Sequence, residues 1–163
     1  MASVVRQLEA AIATALETAL DGSAKVMGIR AAVASGLVKT TDGDGRPEVY
    51  VAVSPASADS YASPVLTFAV AVSVRLEWED DPTIAAFDET AAKIEALLIG
   101  WNSRANTDAL ATALTTDNFR CDGFRLGGGN DSVELGGNTP SISTVFNFEL
   151  KGIYLEPATT TEV

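Results

Sequence analysis

Apolar and polar positions alternate without a slip from Pro64 to Asp81, PVLTFAVAVSVRLEWEDD. Leu66, Phe68, Val70, Val72, Val74, Leu76 and Trp78 fall on one face. Val65, Thr67, Ala69, Ala71, Ser73, Arg75, Glu77 and Glu79 fall on the other. Side chains of a strand repeat every two residues, so this stretch predicts one long β-strand with one apolar face. At about 3.3 Å per residue it would run roughly 50 Å, well beyond the usual strand. A domain of this size is not expected to cover all of it. The far end is expected to project, with exposed edges that offer a pairing template to a neighbour.

The remaining elements arrange themselves around that strand. Val4, Val5, Leu8, Ile12, Ala15, Leu16 and Ala19 form one stripe at helical spacing, with Ser3 as N-cap and Asp21-Gly22 as the stop. This predicts a helix over 3–20 that covers one face of a sheet. Residues 23–45 read as one or two short strands, interrupted by Gly28 and Gly36 and closed by a TTDGDG turn at 40–45. PEVYVAVS, from Pro47 to Ser54, alternates and is rich in β-branched residues, so it predicts a second strand. The small, polar, proline-bounded stretch 55–64, PASADSYASP, reads as a mobile arm or extended hairpin loop.

After the long strand, Asp81 caps and Pro82 opens a second helix. Ile84, Phe87, Ala91, Ile94, Leu97, Leu98 and Trp101 keep its period, and it should pack on the strand's apolar face. Asn102 to Asn106 breaks it; Thr107 to Leu114 predicts a short helix with Leu110 and Leu114 inward. NFRCDGFRL then predicts a strand, GGGNDSVELGGNTP at 127–140 a flexible hairpin tip, and STVFNFELKGIY, Ser143 to Tyr154, the last strand. On that strand Phe146, Phe148, Leu150 and Tyr154 share a face. The order is helix, strands, helix, strands, without βαβ repeats. The expected fold is α+β: a mostly antiparallel sheet with long hairpin strands and two main helices packed on one face. Residues 1–156 are expected to form a single domain and 157–163 a disordered tail.

Composition narrows the chemistry. Of the residues, 47% are apolar, enough for a substantial core. Lys plus Arg is 11 against 22 for Asp plus Glu, a formal net charge of −11. That balance lacks the footprint of a phosphate-backbone binder and weighs against anionic membranes. Histidine is absent, which removes Ser-His-Asp and Cys-His catalysis and the usual zinc sites. Cys121 is the only cysteine, so there is no intrachain disulfide, and it is expected to sit in the sheet as a small hydrophobe. The N-terminal stretch is amphipathic, with Arg6, Glu9 and Glu17, and not a secretory signal. No apolar run reaches a membrane span, so the chain is expected to be soluble.

The glycine-rich segment has no lysine and joins strand to strand, so it is neither a Walker loop nor a dinucleotide fingerprint. Asp42 and Asp44 resemble part of an EF-hand loop that lacks its later ligands. Glu77, Glu79, Asp80 and Asp81 read as a solvated strand end and helix cap before they read as a metal or general-acid site. Lys25, Lys39, Lys93 and Lys151 are scattered, and no base stands beside any serine or threonine. Trp78 and Trp101 read as packing residues, not a base-stacking platform. No catalytic, cofactor-binding or metal residue is assigned.

The layout resembles small virion proteins of tailed phages, the tail terminator class, also called head–tail joining or minor tail proteins. The resemblance covers about residues 1–156. It lies in the N-terminal helix, PEVYVAVS with its arm, TFAVAVSVRLEWEDDP running into TIAAFDETAAKIEALLIGW, then FRCDGFRL, the glycine segment and STVFNFELKGIYLEP. Residues 23–45 and the long arm depart from it. The resemblance implies a structural, non-enzymatic protein without cofactors, assembled in the host cytoplasm and residing in the virion tail or neck. It implies a homo-oligomeric ring, commonly a hexamer, that ends the tail tube and meets the head connector. DNA would pass through its channel without sequence-specific binding, and an acidic lining would let it slide. Two other readings stand beside it: a tail tube or tail completion protein, and a small acidic ligand-binding domain.

Overall fold

The computed structural model describes residues 3–34, 46–58, 65–77, 84–103, 107–134 and 141–155. The TTDGDG turn, the 59–64 part of the arm, Trp78, the carboxylates Glu79 to Asp81, the Asp81-Pro82 cap, residues 135–140 and the tail lie outside the described residues. Ten elements follow in order: α1 (Val4–Leu20), β1 (Lys25–Gly28), α2 (Ile29–Ala34), β2 (Glu48–Ala58), β3 (Val65–Glu77), α3 (Ile84–Asn102), α4 (Thr107–Leu114), β4 (Phe119–Leu126), β5 (Asn130–Glu134) and β6 (Ser141–Tyr154). The fold is α+β, a mostly antiparallel open sheet with helices, as the order of elements predicts.

The sheet order is β1-β2-β3-β6-β4, with β5 also on β6. β4 pairs with the Phe148–Tyr154 half of β6 and β5 with the Ser141–Val145 half, so the two share one edge. Among the described strands only β1 on β2 is parallel. The long strand β3 is central. Every residue from Val65 to Glu77 pairs with β6, and Leu66 to Arg75 also pair with β2. The expected projecting strand with exposed edges is therefore corrected: both edges of β3 are hydrogen-bonded within the chain. Two neighbours of similar length account for its 13 residues, with 11 residues in β2 and 14 in β6.

The apolar face of β3 is the one its alternation predicts. Phe68, Val70, Val72, Val74 and Leu76 are buried, and their neighbours across the strand are not. Val49, Val51 and Val53 of β2 and Phe148 and Leu150 of β6 extend this apolar sheet. Leu8, Ile12, Leu16 and Leu20 of α1 cover it, with Phe87, Ile94, Leu98 and Trp101 of α3 and Leu110 and Leu114 of α4. Burial of a side chain of this size is worth about 1.5–3 kcal/mol relative to exposure, so this layer dominates stability. Trp101, Phe124 and Phe148 form one aromatic cluster, with Phe124 stacked on Phe148 at 5.0 Å. Trp101 is thus a packing residue.

Three local readings change. Residues 25–34 form one strand followed by a short helix, where one or two short strands are expected. The arm is shorter than expected: β2 continues to Ala58, with Pro55 opposite Phe68, Ser57 opposite Thr67 and a bulge at Ala56. The hydrogen-bonded ladder overrides the loop-like composition there. The third change concerns 127–140, which is not one hairpin tip. Residues 130–134 are strand β5, and Gly127 to Gly129 form a kink between two strands on the same edge. A second bulge at Asp122 explains the broken alternation of β4. It puts Phe119 and Cys121 before it, and Phe124 and Leu126 after it, on the face shared with Gly152, Leu150 and Phe148.

One polar contact lies inside the helix layer. Glu9 of α1 is buried at 3% exposure, and its Oε2 accepts the Val53 N–H at 3.1 Å. Arg30 forms an ion pair with the same carboxylate and donates from Nη1 to the Val53 carbonyl at 3.0 Å. β1 pairs with β2 only from Glu48 to Val51. Glu9 and Arg30 therefore take the place of the missing β1 residue beside Val53, satisfying its N–H and its C=O. Pro55, two residues on, has no N–H for that edge. Replacing Glu9 with Ala strands a buried N–H and the Arg30 charge. The expected loss is roughly 2–4 kcal/mol in urea unfolding. An unchanged midpoint would show that the pair adds nothing to folding.

Candidate functional site

The described helices α1, α3 and α4 cover one face of the sheet; among the described residues nothing covers the other. That bare face follows from the polar half of the alternation. Its centre is small: Ala52 and Ser54 of β2, Thr67, Ala69, Ala71 and Ser73 of β3. Its margins are charged. Arg75 and Glu77 form an ion pair at 2.5 Å, with Glu48 directly across from Arg75. The Tyr50 hydroxyl donates to Glu48 at 3.0 Å. At the far side Arg120, Arg125, Glu149 and Lys151 share the same face, with Arg125 across from Glu149. Both margins carry positive and negative side chains, an arrangement suited to contact with protein more than to any one ion.

A groove lies on the helix side, between α3 and the β4–β5 edge. Phe87, Leu98, Ile99, Leu126 and Phe146 give it apolar walls, and Asp88, Glu95 and Asp131 give it carboxylates. Asp131 Oδ1 accepts the Thr144 hydroxyl at 2.6 Å, which fixes that carboxylate at the groove's edge. Its glycine border is set by close approach to β6. A Cβ on Gly129 would lie 2.6 Å from the Val145 carbonyl oxygen, whereas one on Gly128 meets nothing within 4 Å.

The candidates named from sequence do not converge. Glu77 ends β3 and engages Arg75; its fellow carboxylates Glu79 to Asp81 lie outside the described residues, as do Asp42, Asp44 and Lys39. Lys25 lies in β1, Lys93 pairs with Glu89 on α3 at 3.2 Å, and Lys151 is on the bare face of β6. Among the described residues no group of three or more His, Cys, Asp or Glu is arranged to hold a metal. Among them, too, no helix is long and apolar enough to cross a membrane. Cys121 is fully buried in β4, and burial pushes its thiol from 9.0 up to about 11. A backbone hydrogen bond with Gly123 opposes the rise, and the nearby Asp122 adds to it. Such a thiol is inert, not a nucleophile.

Sequence reading missed Glu9. The available signal was its spacing: Val5, Glu9, Ile12 and Leu16 continue one helical line, so a carboxylate stood on a buried stripe. The groove was also missed, because it joins residues far apart in the chain. No protein-family model matches this chain, and no curated protein matches it.

Two measurements check this geometry. Gly129→Ala should destabilise by about 1–3 kcal/mol through forced displacement of β6, and Gly128→Ala should be near neutral; equal effects would contradict the kink. Cys121 should resist a thiol reagent in the folded state at pH 8 and react on unfolding. Its raised value favours the neutral thiol in the fold, so its stabilisation is full below about pH 9 and lost as pH rises towards about 11. Cys121→Ala should flatten that part of the alkaline stability curve.

Proposed function

We propose that this chain is a structural, non-enzymatic virion protein of the tailed-phage terminator class. In this reading it forms a homo-oligomeric ring that ends the tail tube and joins it to the head connector. The observation that supports it best is the bare sheet face, spanning β2, β3 and β6 with small central side chains and a rim of both charges. Small side chains allow close approach of a second surface, and mixed charge fixes its register. A face that meets an unlike surface on the next subunit makes a heterologous contact, and such contacts close into rings when the rotation permits. The sealed edge at Val53 fits this role, because it prevents uncontrolled growth by strand addition there. The acidic balance, −11 overall, suits a protein past which DNA slides without being held.

The test is solution mass by light scattering, with negative-stain images of the same sample. A single discrete mass with ring-shaped particles is the expected result, and Ala69→Arg on the bare face should reduce that mass while leaving the circular dichroism spectrum intact. A chain that remains monomeric at high concentration would overturn the proposal. Open-ended tubes would replace it with the tail tube reading.

A further inference from the structure

Two of the chain's exposed large apolar side chains lie in the α3–β5 groove. Ile99 of α3 is 54% exposed and Leu126 of β4 is 37% exposed. Phe87, Leu98 and Phe146 continue the same surface inward. Three carboxylates border it, Asp88, Glu95 and Asp131, and among the described residues no basic side chain lines it. Beside it runs the outer edge of β4 and β5. Among the described residues only Phe119 has a backbone partner on that outer side, Thr116. From Phe124 to Glu134 no described strand pairs there.

We propose that this groove docks an extended segment of a partner protein in which every second residue faces the groove, those groove-facing residues being apolar and Lys or Arg in turn. The segment adds a strand to the β4–β5 edge. Its apolar side chains meet Ile99, Leu126 and Phe146, and its basic side chains meet Asp88, Glu95 and Asp131. Strand addition supplies affinity through main-chain hydrogen bonds, and alternate side chains supply specificity. Charge argues for another protein and against a second copy. A copy brings the same net charge of −11, and three of its eleven basic side chains, Arg30, Arg75 and Lys93, already engage Glu9, Glu77 and Glu89. The surface differs from the bare sheet face, so the inference goes beyond ring formation.

The test uses a synthetic ten-residue peptide repeating Val-Ser-Lys-Ser, so that Val and Lys share one strand face, its counterpart with Glu for Lys, and a version with Pro at alternate positions. Fluorescence anisotropy reads binding to the full chain, and light scattering of the same samples reads assembly separately. The lysine peptide should bind and weaken with salt, and the glutamate and proline peptides should not bind. Asp88→Lys with Glu95→Lys should weaken binding by about tenfold or more, the size of effect expected for losing two charge contacts. Ile99→Asp should do the same. Reversal of Glu17 and Asp21, on the far end of α1, should change it less than about twofold. Equal loss from both charge reversals would show general attraction to an acidic protein and overturn the site. Binding by the proline peptide would overturn strand addition. Native thermal midpoints in each variant separate loss of binding from loss of fold.

Discussion

Register is the constraint on which the rest of this structure depends. β3 pairs with β6 over its whole length and with β2 over most of it, and all three strands send one set of side chains under the helices. A slip of one residue in either ladder would turn Val70, Val72 and Val74 to solvent and bring Ala71, Ser73 and Arg75 beneath α1 and α3. The apolar face of β3 is continuous enough to make that slip costly at every position. The helix layer, the bare face and the groove all take their places from this one alignment.

Departures from the alignment are local. The bulge at Ala56 follows the proline of β2, and the one at Asp122 brings Phe124 back over the core. The glycine kink lets one edge of β6 hold two strands, and close approach to Val145 explains glycine at 129. Near the other edge, Glu9 and Arg30 complete β2 where β1 stops. The two sides of the sheet are thus treated differently. On one, an ion pair and a proline close the part of β2 that β1 does not reach; on the other, no described strand pairs with the β4–β5 edge beside an apolar, acidic groove. A protein that assembles in a defined direction needs such unlike surfaces, and this asymmetry supports the reading proposed for it.

Much of the fold was legible because its signals are periodic and local. The α1 stripe, its Ser3 and Asp21 caps, the α3 period and the β3 alternation each fix an element from adjacent residues. The candidate surfaces were not legible in the same way. The groove joins Asp88 of α3 to Asp131 of β5 and Phe146 of β6, residues whose proximity exists only after the sheet is ordered. Glu9 carried a weak local signal, but its partner Val53 is 44 residues away. The glycines at 127–129 misled because glycine is equally common at hairpin tips and at kinks; only the pairing on both sides tells them apart.

The sequence by itself determined the α+β class, the two main helices, which face of β3 is apolar, and the absence of histidine chemistry. Those follow from side-chain period and residue type, which no partner can change. The tertiary structure decided where the long strand sits. Its length suggested an element reaching beyond the domain, yet it is the centre of the sheet, because β2 and β6 run long enough to pair with it. Strand order is a property of non-local hydrogen bonds, and alternation in one strand contains no information about which neighbours satisfy its edges.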